Sequence, residues 1–494
     1  QSKGVHHADQ FLGVGIAGTG QRPERVVGVL EAAGLHQVAR RLEPVRSGRH
    51  GKAGGQGSKG KGFHALLLSV GLSGGAAMAD TIDPGDYIAF DPDQARIGQL
   101  LFYDKILSGN RNISCATCHH HDLAGADGLS LGLGQGATGL GRDRRPVGDD
   151  HAIQHRIPRN APALWNLGHR DVRVLFHDGR VQVTDHPGWE FDTPAGDWLP
   201  KGLNSLLAAQ ALFPMTSFAE MAGEHGQNPV AGAIDNRLDR GWPIIARRVR
   251  NIPEYGILFV EAFPEVDTPQ DVTIVQIANA LAAFIGTEWQ SHDSPYDAWI
   301  RDGTPLAPAA DRGRQLFFGK AGCVACHSGP LFTDQEFHAS GIPQFGPGRT
   351  RKFDPIPRDV GRMGKTNLLE DAYRFRTPSL RNVALTGPYG HNGAYATLEG
   401  MIRHMADPMR ARAEWTPADA VLPEVAWLGD GDFLIRQDRR EMARQADAVE
   451  LPTVPLSDAE IADIAAFLDA LTDAKPFDRP LGRPDTVPSG LPVD

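Results

Sequence analysis

Cys115-Ala116-Thr117-Cys118-His119 and Cys323-Val324-Ala325-Cys326-His327 together use all four cysteines of a 494-residue chain. Two thiols three positions apart can add to the two vinyl groups of one porphyrin, and the adjacent His then reaches the iron as proximal ligand. Each stretch therefore reads as an attachment site for c-type haem. The alternatives are a structural zinc site built from both CxxC pairs, or two disulfides. Zinc clusters rarely place His directly after both second cysteines, and a CxxC disulfide closes a loop too short to staple a chain of this length.

Outward from these stretches, each is preceded by the same helical phrase, Gly98-Gln99-Leu100-Leu101-Phe102 and Gly313-Arg314-Gln315-Leu316-Phe317. No other repeat is read. The natural inference is a mainly α fold of two cytochrome c-like haem domains with long loops and little β structure. Composition agrees: 41% hydrophobic residues suffice for buried cores, while Gly 57 and Pro 36 favour structured loops between modest helices. Helical spacing predicts helices over Ile274 to Trp289, Ala309 to Phe318 and Ser457 to Leu471, the last opened by a Ser457/Glu460 capping box. The polar run Ser291-His292-Asp293-Ser294-Pro295 marks a joint. An N-terminal haem domain is expected over 80–292, a C-terminal one over 293–475, and a Pro-rich surface tail over 476–494.

Residues 1–79 hold ten Lys/Arg against four Asp/Glu, and within them Lys59-Gly60-Lys61 precedes the apolar run Phe63 to Leu72 and the small-residue site Ala77-Met78-Ala79. This layout predicts a secretory signal peptide cleaved before Asp80, with the residues ahead of about 58 read as an over-extended N-terminus. The apolar run is short for a transmembrane anchor, and nothing later resembles a span. The full chain's formal −10 less the leader's +6 leaves −16 for the mature protein. That charge makes nucleic acid and anionic membrane poor partners and a basic redox protein a good one. Export and haem attachment both point to the periplasm.

Further phrases carry a resemblance: Arg159-Asn160-Ala161-Pro162, Asp178-Gly179-Arg180, Glu220-Met221, Gly319 to Pro330, and Thr377 to Gly393. In this order they resemble the bacterial di-haem cytochrome c peroxidase family, which also contains the MauG maturases. The resemblance covers nearly all of Asp80 to Leu471. It implies a peroxidatic N-terminal haem with a distal carboxylate, here Glu220, accompanied by Gln210 and Pro214. A carboxylate in a partly dry pocket can take a proton from bound peroxide and return it to the leaving oxygen. The resemblance also implies a C-terminal electron-accepting haem ligated by His327 and Met405, the Met lying fourteen residues past His391. A thioether ligand raises the potential of such a haem. A calcium ion between the haems is implied at Asn160, Thr386 and Pro388, a hard-oxygen set. Each of these residues has a plainer reading as solvated surface, packing or a metal-free loop.

The chain departs from the family pattern in three places. Gln135 stands where the classical peroxidases carry a displaceable His ligand, so the N-terminal haem is expected open at rest, unless His120, His121, His151 or His155 substitutes; each of these reads as surface on its own. His177 replaces the bridging Trp, with Trp189 and Trp198 in the insertion at 181–209 as candidate replacements. Ala321 replaces a second Trp known from MauG. The expected activity is reduction of hydrogen peroxide to water, with electrons from a small cytochrome c or cupredoxin. A MauG-like oxidase and a pure electron-transfer cytochrome are the competing readings, and a homodimer is implied by the family.

Overall fold

The computed structural model describes residues 81–148, 153–350 and 357–494. The expected leader, its cleavage site before Asp80 and His151 lie outside the described residues.

Gly98 and Gly313 explain the helical framework. Helix Pro92–Tyr103 starts where the Asp91 carboxylate accepts from the N–H groups of Asp93 and Gln94, with Pro92 in the first turn, where its missing N–H is not needed. It crosses helix Ile274–Glu288 so closely that a Cβ on Gly98 would stand 1.9 Å from the Ala280 carbonyl oxygen. The second framework pair repeats this: helix Pro308–Phe318 crosses helix Asp458–Asp469, and a Cβ on Gly313 would stand 1.8 Å from the Asp463 carbonyl oxygen. Only a residue without a side chain permits backbone to approach backbone at this range. All three helices expected from sequence form, within a few residues of their predicted ends, and Ser457 and Glu460 make the capping box.

A second repeat, not read from the sequence, follows each haem-attachment turn. Pro162-Ala163-Leu164-Trp165-Asn166 and Pro378-Ser379-Leu380-Arg381-Asn382 end on asparagines at φ 60° and 57°. Asn adopts this left-handed conformation at low cost. Asn166 N–H donates to Trp289 O (2.8 Å) and Asn382 N–H to Leu471 O (3.1 Å). Their Oδ1 atoms accept from Ser291 N–H (2.7 Å) and Asp473 N–H (2.8 Å). Each turn is thus tied to the end of the second helix of its own pair.

Apolar packing follows the same division. One cluster gathers Leu101, Phe102, Tyr103, Phe284 and Trp289, and another gathers Tyr296, Phe317, Phe332, Phe467 and Leu468. Strand structure is confined to short antiparallel pieces. In the largest, Val174–Leu175 pairs with Val181–Val183, which pairs with Phe191–Asp192, so the 181–209 insertion supplies the central strand and one edge strand.

The segment after Lys475 does more than cover a surface. Leu481 and Gly482 carbonyls accept from Gln99 Nε2 (2.7 and 2.8 Å), Ser489 Oγ donates to Asp104 (2.6 Å), and Val487 is buried in the first cluster. Lys105 Nζ pairs with the Asp494 carboxylate at 2.6 Å. The tail therefore returns from the second helix pair to the first.

Gly98→Ala and Gly313→Ala are each expected to cost about 1–3 kcal/mol through overpacking against an unyielding backbone. Gly232, in helix Pro229–Ile234, gives the contrast, because a Cβ there would meet no atom within 4 Å. Gly232→Ala should be neutral or stabilising by up to about 1 kcal/mol. Thermal denaturation of the three variants checks both statements.

Candidate haem-binding active site

Both CxxCH stretches fold into the same turn. Cys115–Thr117 and Cys323–Ala325 are single 3-10 turns, and the His backbone N–H returns to the first Cys carbonyl in each (His119 to Cys115, 3.0 Å; His327 to Cys323, 2.9 Å). The imidazoles are oriented alike: His119 Nδ1 donates to Gly125 O at 3.1 Å, and His327 Nδ1 donates to Phe332 O at 3.0 Å. A carbonyl that fixes Nδ1–H leaves Nε2 unprotonated and aimed outward, the arrangement of an axial ligand held by an outer-shell acceptor. Burial pushes both imidazoles below their usual range, which keeps them neutral and able to ligate.

The alternatives to haem do not form. All four cysteines are unpaired. Among the described residues, the one tight grouping of metal-type donors is Cys326, Asp334 and His338, which does not unite the two CxxC pairs.

Beside His327 lies a cavity of about 490 Å³, largely apolar, whose wall includes Cys323, Cys326, Met405, Tyr389, Ile402 and Leu468. An apolar chamber with two cysteines and a His at one wall and a thioether in its lining fits a covalently held porphyrin. Asn160, Thr386, Pro388 and His177 line the same cavity. Asn160 Nδ2 donates to Leu129 O at 2.7 Å, leaving its Oδ1 as the side-chain acceptor. His177 Nε2 bonds to Asn160 O at 3.1 Å, and burial together with Arg159 lowers its imidazole to about 4. Arg159 itself bridges Asp178 (2.8 Å) and Asp359 (2.7 Å), all three buried. Burial would raise the Asp178 carboxyl, but Arg159, Arg180 and Arg349 outweigh it and hold the group far below its ordinary range. His391 stacks on Phe375 with centroids 3.6 Å apart, and burial lowers it to about 3.

Near His119 the decisive geometry concerns Glu220. It sits in a single π-helical turn, Phe218–Ala222, in which Ser217 O accepts from the N–H groups of Glu220, Met221 and Ala222. Such turns are rare and concentrate at functional sites. Gln210 lies on the short helix Leu206–Ala211, and Pro214 opens the intervening 3-10 turn Pro214–Thr216; both are half-buried, as is Glu220. Glu220 is an electrostatic neighbour of the Cys118 thiol and of Arg180.

The Gly132–Gly136 segment is clamped onto this turn. A Cβ on Gly134 would lie 1.8 Å from Ala219 O, and Gln135 N–H donates to Glu220 O at 2.9 Å. The Arg144 guanidinium holds the segment from behind through Leu133 O, Gly134 O (2.7 Å) and Gly139 O (2.9 Å). The Gln135 side chain is fully engaged: its Oε1 accepts from Asn112 (2.6 Å) and its Nε2 donates to Gln227 (3.0 Å).

Comparison with known proteins agrees with these features. The sequence profile described as di-haem cytochrome c peroxidase matches residues 92–304. Cytochrome-c peroxidase IdrP1 of Denitromonas iodatirespirans is 30% identical over 331 residues, 63% of this chain and 71% of that one. The chain belongs to the di-haem cytochrome c peroxidase family. Methylamine utilization protein MauG of Methylorubrum extorquens is 29% identical over 314 residues, covering 63% of this chain and 68% of its own. The crystal structure of a MauG-like protein associated with microbial copper homeostasis superposes with a TM-score of 0.54 at 25% identity, over 86% of this chain and 99% of that chain. The protein is accordingly a peroxidase-type oxidoreductase of a two-haem c class, and among the described residues no helix is long and apolar enough to cross a membrane.

Two expectations of this di-haem peroxidase need correction. His120 and His121 are not surface residues: they are 0% and 8% exposed, because Tyr103, Phe284 and Trp289 pack around them. His121 commits both ring nitrogens, to Tyr103 and to Glu288 (2.7 Å), while His155 is exposed. Trp189 and Trp198 do not line the cavity that His177 lines. Trp189 bonds Asp197 at the tip of the insertion, and Trp198 is 53% exposed under Arg237. Sequence reading also missed Asn112, Gln227 and Arg144, which decide what Gln135 and its loop do; their signal is polar side chains far apart in sequence, and spacing does not reveal it.

Asp127, buried between the attachment turn and this loop, accepts from Leu129 N–H at 3.0 Å, and burial pushes its carboxyl up to about 7. An unfolded Asp releases its proton near ~3.9. The folded chain therefore binds the extra proton between about 4 and 7, and this contribution to stability is full below that window and lost as pH rises through it. Relative to Asp127→Asn, the unmodified protein should lose melting temperature between those pH values, as thermal denaturation across the range would read.

Proposed function

We propose that this protein reduces hydrogen peroxide to water at the N-terminal haem, open at rest, and draws its electrons one at a time through the C-terminal haem from a small periplasmic cytochrome c or cupredoxin. The observation that carries the reading is the engagement of Gln135 by Asn112 and Gln227 beside the Glu220 turn. With that side chain held by Asn112 and Gln227 and both ring nitrogens of His121 committed elsewhere, neither is free to compete for the open side of the iron. The haems, when bound, supply the redox chemistry.

The protein's own residues then divide the work. His119 and His327 offer Nε2 as proximal ligands because Gly125 and Phe332 hold their Nδ1 protons. Glu220 takes a proton from one peroxide oxygen and hands it to the other, a shuttle worth about 10²–10⁴ in rate. Gln210 orients peroxide by hydrogen bonding, and Pro214 walls the approach. Met405 would be the second protein ligand of the haem held at His327, supported by its place in the lining of the same cavity. Asn160 Oδ1 and the carbonyls of Thr386 and Pro388, which line the same cavity, would hold one calcium ion with hard oxygen donors.

A MauG-like oxidation of a protein substrate is favoured by the same freedom from a displaceable ligand. It is disfavoured by Met405 and by His177, a half-buried imidazole lowered to about 4, where a hopping indole would be needed.

The test is electronic absorption and EPR of the fully oxidised holoprotein before and after peroxide. A high-spin ferric signal beside a low-spin one, with immediate reaction, is expected. Two low-spin haems that stay inert to peroxide even after half-reduction would sink the peroxidase reading. Glu220→Gln should lower peroxide turnover by about 10²-fold or more with resting haem spectra unchanged, and Met405→His should lower the C-terminal haem potential, measured by spectroelectrochemistry.

A further inference from the structure

On the proximal side of the N-terminal attachment turn lies a buried triad that the proposed mechanism does not use. Tyr103 ends helix Pro92–Tyr103 and is 0% exposed. Its hydroxyl bonds His121 Nδ1, and His121 Nε2 bonds Glu288 Oε1 at 2.7 Å. Glu288, 0% exposed, also accepts from Leu481 N–H (2.8 Å) and Gly482 N–H (2.7 Å). A carboxylate surrounded by donors is an acceptor, so the Nε2 proton of His121 belongs to that bond, Nδ1 carries the lone pair, and the Tyr103 hydroxyl is the donor.

The triad abuts the haem ligand. His121 follows His119 by two residues, and His119 is oriented by Gly125 O (3.1 Å). Gly125 lies against the Trp289 indole, where a Cβ would stand 3.0 Å from Nε1, and that indole packs 4.9 Å from the His121 ring. Phenol, imidazole and indole therefore form one aromatic wall behind His119.

We infer that Tyr103 is a redox-active tyrosine that supplies one of the two electrons of peroxide reduction, passing its phenolic proton to His121 as it does so. The inference rests on the reading that peroxide reacts at the N-terminal haem. Reducing one hydrogen peroxide to two waters takes two electrons and two protons, whereas a small redox donor delivers electrons singly. One electron leaves the haem centre and one leaves Tyr103. The O–H bond of Tyr103 breaks, its proton forms an N–H bond at His121 Nδ1, and a neutral phenoxyl radical remains. The donor's next electron reduces the radical and the proton returns.

Glu288 makes this step feasible in a dry core. An imidazolium formed among Phe102, Phe284 and Trp289 would otherwise be an uncompensated buried charge. The comparison within the chain is Tyr395, whose hydroxyl bonds His404 Nδ1 at 2.9 Å. There His404 Nε2 donates to the neutral Ser340 carbonyl (2.9 Å), and burial lowers the imidazole to about 4. That pair has no carboxylate to receive the charge. The buried hydroxyls of Tyr87 and Tyr255 donate to Asn166 and to Asp104, and neither partner is an imidazole.

The experiment mixes the oxidised holoprotein with one equivalent of peroxide without donor, freezes it, and records EPR alongside the haem absorption. Protein grown on ring-deuterated tyrosine and, separately, on deuterated tryptophan is compared with Tyr103→Phe and Tyr395→Phe. The expected result is an organic radical whose signal narrows on tyrosine labelling, is lost in Tyr103→Phe and persists in Tyr395→Phe. A signal narrowed by tryptophan labelling, retained in Tyr103→Phe, or absent while the haem absorption responds to peroxide would overturn the inference and leave the peroxidase reading standing. Haems that do not respond to peroxide at all would overturn both. Should Tyr103→Phe fail to take up haem, Glu288→Gln replaces it, and a tyrosine-derived signal of undiminished yield there would overturn the inference.

Discussion

Where helix Pro92–Tyr103 crosses Ile274–Glu288, and again where Pro308–Phe318 crosses Asp458–Asp469, one backbone rests on another with a glycine between them. These crossings set the distance between the helices of each pair. That distance fixes where the second helix ends, and its end anchors Asn166 or Asn382 through paired hydrogen bonds. The Pro-x-Leu-x-Asn turns so anchored stand over the haem-attachment turns. A displaced crossing would therefore move the walls of both haem sites.

On this framework the two centres differ in how their polar groups are used. Around the first, nearly every polar side chain is committed: Arg144 to three carbonyls, Gln135 to Asn112 and Gln227, His121 to Tyr103 and Glu288. Buried networks of this kind stay in one arrangement because any unmade bond costs about 1–3 kcal/mol. A loop held in one place suits a site that is ready without rearrangement. The second centre is walled mainly by apolar side chains, and the lysine and arginines in its lining are Lys320, Arg376 and Arg381.

The tail links the two regions. It leaves the second helix pair and brings the N–H groups of Leu481 and Gly482 to Glu288, which in turn holds His121 two positions beyond His119. Contacts of the tail thereby reach His121, two residues from the haem ligand His119, through two consecutive hydrogen bonds.

Much was legible in the chain. A CxxCH stretch is read within five residues, because its chemistry is local and its turn needs no partner, so the haem class and the helical fold followed from spacing and periodicity. Other features depended on residues far apart in sequence. Nothing in His121 announces that Tyr103, Trp289 and Glu288 will enclose it, and nothing in Gln135 announces Gln227. Burial and hydrogen-bond pairing of these side chains arise only when helices distant along the chain are brought to contact, since a buried polar group takes whatever partner the packing brings within reach.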